Sequence, residues 1–219
     1  LCFVPRGSPL YPTVGHLLSP RSSRGLAEGF AHAVASVHAR GLPLRIDELN
    51  TVSCGADPAV SQTFASALWA LDTLFAMARV GVDGVNIHTF PGAGYALFKF
   101  SRVGGRWTAS VAPEYYGLLM FAQAAPPGSQ LLSVSGQSGP QLRIWATLGP
   151  DRRVRIVLIN ASVTSSRAVT VRVPGTQSAG TLEWLRAPSA TASSGVQLGG
   201  QSFGAQSDTG RLPGASSTI

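Results

Sequence analysis

Between residues 22 and 125 the chain alternates two hydrophobic patterns, and this alternation restricts its architecture more than any other feature. The stretch SSRGLAEGFAHAVASVHAR, 22–40, sets Leu26, Phe30, Ala33, Val34 and Val37 at three- and four-residue steps behind a capping Ser22 or Ser23. That spacing predicts an amphipathic helix. Gly41 and Pro43 end it, and LPLRIDELN, 42–50, predicts a short, largely buried strand. Residues 58–79 predict a helix apolar nearly all round, with Val60, Phe64, Leu68, Leu71 and Phe75 inside. VDGVNIHTF, 82–90, predicts a second strand and, after a Gly-rich loop, PEYYGLLMFAQAA, 113–125, a third helix. Helix, strand, helix, strand, helix is the order of parallel strands joined by helical crossovers. Trp69, Tyr115, Tyr116 and Phe121 stand at helical spacings and are assigned to the core.

The pattern changes after PPG at 126–128. QLLSVSG, QLRIWATLG, VRIVLINAS, AVTVRVPG, GTLEWLRAP and GVQLGGQSF are β-branched or alternating segments separated by turn residues. They predict an antiparallel sheet domain, a sandwich. The expected fold class is therefore α/β plus all-β, with residues 1–127 as βα units and 128–219 as the sheet domain. Two and a half βα units neither close a barrel nor make a stable open sheet. Both ends are expected to be cut, the sheet domain lacking its last strand.

Seventeen Lys and Arg against ten Asp and Glu give a net charge of +7 and a pI near 10.4. Sixteen of the seventeen are Arg, scattered among Ala, Gly and Pro, and only DRRVR, 151–155, forms a cluster. Without aromatic residues interleaved among the charges, this reads as compositional bias and argues against a nucleic-acid partner. An attraction for anionic surfaces or polyanionic glycans is compatible with it. No apolar run is long enough to span a membrane, and the first residues lack the pattern of a signal peptide. Cys2 and Cys54 make neither a disulfide framework nor a metal site; they could pair with each other or stay as two thiols. Neither a phosphate-binding loop nor a Gly-x-Ser-x-Gly elbow is present.

The chemistry concentrates in LRIDELNTVSCG, where a strand ends in Glu48. In parallel barrels, side chains at the carboxyl ends of strands line the substrate cleft. A carboxylate followed by Asn50, Thr51, Ser53 and Gly55 has donors around it to keep it ionised, as the nucleophile of a retaining glycosidase must be. The plain alternative is a rim ion pair between Glu48 and Arg45. Asp47 would point to the other side of the strand, in a packing or capping role. Asn86 and His88 share one face of their strand and could line the same end; His16, His32 and His38 have no clustered acids or thiols and read as surface residues.

Taken together, RIDELNTVSCG, VSQTFASALWALDTLF, GVDGVNIH and PEYYGLLMFAQA closely resemble glycoside hydrolase family 79, the β-glucuronidase and heparanase-like enzymes. GVQLGGQSF resembles a segment of that family's C-terminal β-domain, so the resemblance covers about residues 10–210. It implies the last strands and helices of a (β/α)8 TIM barrel followed by a β-sandwich, a retaining hydrolase without metal or organic cofactor, and Glu48 as nucleophile. Asn50, Asn86 and His88 would line the cleft. Ser53, Cys54 and Gly55, through backbone N–H groups, and Tyr95, through its hydroxyl, would take a uronic acid's carboxylate. The family's acid/base glutamate lies in an Asn-Glu pair, which does not occur here. Glu28, Glu114 and Glu183 are the other glutamates, and none is expected at a barrel strand end. The acid/base would come from a missing N-terminal barrel half, in the same chain or a processed subunit, and this chain alone would be inactive. Thr51 stands where the family commonly has Ser. The substrate would be a β-glucuronide or other uronic-acid glycan, which points to a secreted protein. Two rivals are a neutral-sugar glycosidase of the arabinofuranosidase or xylosidase type and a non-catalytic carbohydrate-binding module.

Overall fold

The computed structural model describes residues 4–5, 7–53, 55–136, 139, 141–175 and 180–212. Helices follow the hydrophobic periodicity, with interruptions. After α1 (Val14–Leu17), the 22–40 stretch forms a π-helical turn, Arg21–Gly25, then α2 (Leu26–Glu28) and α3 (Ala31–His38). The break at Gly29 resets the buried face, so Ala27 is buried whereas Ala33, expected inside, is exposed. The next helical stretch divides into α4 (Pro58–Ser61) and α5 (Phe64–Val80). Asp57 Oδ1 accepts the Ala59 amide at 3.0 Å and Pro58 opens the first turn, a standard way to satisfy a helix start. At the other end of α5, Gly81 adopts φ 92°, the left-handed cap that a residue without Cβ takes at least cost.

Strands β1 (Arg45–Leu49) and β2 (Gly84–Ile87) pair in parallel, as expected from their separation by a helical crossover. Ile46 stands opposite Val85 and Leu49 opposite Ile87, so Asp47 and Glu48 together face the single residue Asn86. This is a β-bulge. It puts Ile46 and Leu49, three residues apart, on the side that packs into the core with Val85 and Ile87. Arg45 and Glu48 then share the opposite side with Asn86 and His88. That side is open: Arg45, Asp47 and Glu48 are all exposed and only Leu49 is buried, so β1 is less covered than its composition suggests.

The stretch read as a Gly-rich loop contains a hairpin, β3 (Phe98–Val103) and β4 (Arg106–Val111). Its two turn residues, Gly104 and Gly105, have φ 55° and 81°, the positive values that a two-residue turn needs to match strand twist. Helix α6 (Pro113–Ala124) follows and touches α5 at Gly117, where a Cβ would come within 2.2 Å of the Ala67 carbonyl oxygen.

Strands β5 (Gln130–Leu131), β6 (Leu142–Leu148) and β7 (Val154–Asn160) make an antiparallel sheet in that order, and β8 (Leu185–Arg186) pairs with β9 (Gln197–Leu198). The alternating segment 168–175 is not a strand. Val169 and Val171, which would drive its burial, remain exposed.

One core joins the helices to the three-stranded sheet: Phe75 of α5 stacks on Trp145 of β6 at 5.5 Å and meets Phe121 of α6 edge-on at 4.9 Å. Within it lies a buried charge, Asp72. Its carboxylate forms an ion pair with Arg143 at 2.8 Å, accepts the Trp145 indole N–H at 2.8 Å and accepts the Ser23 hydroxyl. Arg143 also donates to the Leu18 carbonyl, so the Asp72–Arg143 pair ties α5 and β6 to the π-helical turn and to the end of α1.

Candidate functional site

At the carboxyl ends of β1 and β2 the chain turns into two loops, and the bulge delivers Glu48 there. Its side chain is 71% exposed, and Oε1 lies 3.2 Å from His88 Nδ1. Tyr95 Oη lies 3.0 Å from the same nitrogen. With the proton on Nε2, Nδ1 accepts the tyrosine hydroxyl; with a proton on Nδ1, the ring donates to the carboxylate instead. Phe90 completes the cluster, its ring 5.6 Å from His88 and edge-on to Tyr95 at 6.2 Å. The sequence reading passed over Phe90. Its position two residues beyond His88, on the same strand phase, was the available signal.

The rim pairing of Glu48 with Arg45 does not form. Arg45 turns to Asn86, whose Oδ1 accepts Nε at 3.0 Å and Nη2 at 2.6 Å. Gly84 makes room for it, since a Cβ there would lie 2.2 Å from the guanidinium. Glu48 is thereby left to His88.

Asn50 acts as a strut. Its Nδ2 donates to the His88 carbonyl at 2.6 Å and its Oδ1 accepts the Thr51 amide at 2.6 Å, tying the end of β1 to the end of β2. Thr51 is fully buried, with its hydroxyl 2.6 Å from that of Ser61. This explains how a hydroxyl at position 51 anchors the loop to α4. Ser53 and Gly55 are exposed on that loop, Gly55 with φ 117°. Cys54 and Cys2 lie outside the described residues. The facing loop is pinned as well: Gln62 Nε2 donates to the Ala96 carbonyl at 3.0 Å, and the Leu97 amide donates to Thr89 Oγ1 at 3.0 Å. The loops meet where a Cβ on Gly94 would lie 2.8 Å from that of Ala56.

The other glutamates lie elsewhere. Glu28 pairs with Arg79 at 3.6 Å on the helical surface, and Glu183 lies against Gly199 beside the β8–β9 pair. Glu114, in the first turn of α6, is 1% exposed with no hydrogen-bond partner on either oxygen, and burial pushes its pKa up to about 8. At the opposite end of the β1–β2 pair, Asp83 accepts His38 Nε2 at 2.8 Å and the Leu44 amide at 2.7 Å. These hydrogen bonds hold its carboxyl below the usual range. Among the described residues no three His, Cys, Asp or Glu side chains are grouped to hold a metal ion, and no helix is long and apolar enough to cross a membrane.

An open carboxylate at a parallel strand end, beside an imidazole and a phenol, is the geometry of a polar ligand site. Comparison with known proteins finds similarity to carbohydrate-active enzymes. The chain is 28% identical over 138 residues to a β-glucuronidase of Neurospora crassa, a match covering 58% of this chain and 25% of that protein. It is 32% identical over 113 residues to heparanase-like protein 1 of Arabidopsis thaliana, covering 51% of this chain and 19% of that protein. No family model matches. The fold is shared with a 4-O-α-L-rhamnosyl-β-D-glucuronidase of Fusarium oxysporum, at TM-score 0.71 and 19% identity over 95% of this chain and 45% of that one. It is also shared with a GH51 arabinofuranosidase of Xanthomonas axonopodis, at TM-score 0.59 and 17% identity over 87% of this chain and 42% of that one. The chain is thus a homologue of β-glucuronidase and heparanase-like glycoside hydrolases. It spans about a quarter or less of the curated relatives it matches.

Proposed function

We propose that the chain is the Glu48-bearing part of a retaining glycoside hydrolase acting on β-glucuronides or uronic-acid glycans. Residues 1–127 then belong to a (β/α)8 barrel and 128–219 to an appended β-sandwich. The observation that carries this reading is the bulge at Asp47–Glu48, which presents a 71% exposed carboxylate beside His88 at the end of a parallel strand. Bulges next to active sites commonly re-aim a side chain in this way.

In the reaction a Glu48 oxygen attacks the anomeric carbon as the bond to the leaving oxygen breaks, and that oxygen takes a proton from a carboxylic acid about 5 Å away. The acid comes from a segment of the protein outside these residues, because Glu28, Glu114 and Glu183 all lie elsewhere. Water then attacks the glycosyl ester, gives its proton to the same acid, and frees Glu48. With a proton on Nδ1, His88 holds the Glu48 carboxylate in place, and the Tyr95 hydroxyl beside it can turn its proton to the substrate. The Tyr95 hydroxyl and the backbone N–H groups around Ser53 and Gly55 receive the sugar's C6 carboxylate. The substrate class implies secretion.

The test is an assay of the complete protein on aryl β-glucuronides, arabinofuranosides and xylosides. Turnover of the glucuronide is expected. Turnover of only the neutral glycosides would replace this reading with the arabinofuranosidase type, and glycan binding without turnover of any would leave a binding module.

A further inference from the structure

The β3–β4 hairpin has one closed edge and one open edge. On the β4 side, Ala109 exchanges both backbone hydrogen bonds with Ser207 at 2.8 Å, while Gln206 accepts the Thr108 hydroxyl and donates to Ser101 Oγ. Because the Ala109 backbone faces Ser207, its register partner Phe100 turns its own N–H and C=O away from β4. Alternation extends this to Phe98 and Arg102, so β3 presents the backbone groups of three residues along its outer edge. Among the described residues no other strand pairs with β3, and none of these three makes a backbone hydrogen bond to a further segment. An uncovered strand edge is a template for another strand.

A cavity of ≈ 370 Å³ lies against that edge. Lys99 and Phe100 point to opposite faces of the hairpin, yet both border it, which places it beside the strand and not over either face. It is also bordered by Pro91 and Gly94 of the loop that carries Tyr95 and by Pro58 and Gln62, and Gln62 is tied to the Ala96 carbonyl at 3.0 Å. Every charge on the hairpin is positive. Lys99, Arg102 and Arg106 face no acid there, and none joins an ion pair among the described residues. Phe100 and Val103, on the two faces of the same strand, are 57% and 56% exposed.

We infer that the outer edge of β3 is a docking site for an extended acidic segment of a partner protein, added antiparallel to β3 as a further strand. The backbone groups of Phe98, Phe100 and Arg102 supply the ladder, and acids of the incoming strand opposite Lys99 and Arg102 supply the selectivity. A second copy of this chain fits less well. In the antiparallel pairing centred on Phe100, the two Lys99 side chains become diagonal neighbours about 7–8 Å apart, with no acid on either strand to offset them. The docking edge uses backbone groups and charge alone, so it stands or falls apart from the role of Glu48.

The experiment titrates the complete protein with the acetylated and amidated peptide Thr-Glu-Thr-Val-Glu-Val, whose second and fifth residues stand opposite Arg102 and Lys99, and follows backbone amide exchange by NMR. Binding is expected to slow exchange at Phe100 and Arg102. N-methylation of the peptide's second and fourth residues, whose N–H groups face β3, is expected to abolish binding. N-methylation of the third and fifth, which face away, is expected to leave affinity within about twofold. Lys99→Glu together with Arg102→Glu is expected to weaken binding about tenfold. No binding at millimolar peptide would overturn the proposal, as would binding indifferent to the position of methylation, which is charge attraction without strand pairing. Protection of the same amides that rises with protein concentration in the absence of peptide would also overturn it, since the edge would then belong to a second copy.

Discussion

Asp72 and Glu48 are both acids placed beside a basic ring or guanidinium, and the fold treats them in opposite ways. Asp72 and Arg143 are each 3% exposed, and Trp145 and Ser23 also bond to the Asp72 carboxylate. Glu48 is 71% exposed, with His88 as its contact, and it stands on the face of a strand pair that the core leaves open. Removing a charge from water is costly unless partners replace the lost solvent. Asp72 has those partners and so serves to hold helices and sheet together, whereas Glu48 keeps its solvation, as the proposed nucleophile must.

The sharpest way to break this contrast is to remove each charge in turn. Glu48→Gln is expected to lower kcat on an aryl β-glucuronide by a factor on the order of 10⁴, with the melting temperature unchanged. Asp72→Ala should behave inversely. It leaves Arg143 buried without a counter-charge, which costs about 3–5 kcal/mol and lowers the melting temperature by roughly 10 °C, while each folded molecule keeps its kcat. Calorimetry and initial rates on both variants read the two outcomes, and a swap of phenotypes would dissolve the distinction.

Glu114 sharpens the comparison from a third side, being buried like Asp72 but with no hydrogen bond to either oxygen. Its pKa is raised from 4.5 to about 8, so the folded state favours the protonated form. Its contribution to stability is complete below pH 4.5 and is lost as pH rises to about 8. Between pH 4.5 and 7 the loss is about 3 kcal/mol. Glu114→Gln cannot ionise, so its denaturant midpoint should vary less with pH over this range than that of the native protein. An identical pH profile would show that Glu114 is solvated or paired.

The smallest expected effect concerns Tyr95. Tyr95→Phe deletes the hydroxyl at His88 Nδ1 and is expected to raise KM for the glucuronide by about tenfold, with less effect on a neutral xyloside. Equal effects on both would make Tyr95 a prop for His88 alone.

Much of this contrast was legible in the sequence. Helical periodicity marked α5 and α6, and the strand-ending Glu48 stood out because a strand pattern ran straight into a loop of small polar residues. The bulge was not legible, since it depends on which residue of β2 each residue of β1 faces, and without it Arg45 looked like the natural partner of Glu48. The hairpin was legible but overlooked: FKFSRV and RWTASV alternate on either side of Gly-Gly. The segment 168–175 misled in the other direction, because alternation marks a strand only where a neighbour exists to bury one face. Asp72 could not be recognised, since its partners lie 49, 71 and 73 residues away.

The most direct test of the account is to trap the covalent intermediate. The complete protein is treated with a 2-deoxy-2-fluoro-β-glucuronide bearing a good leaving group, digested and examined by mass spectrometry. The expected result is one glycosyl ester on the peptide containing Glu48. A label on another carboxylate, or steady turnover with inversion at the anomeric carbon and no label, would contradict it.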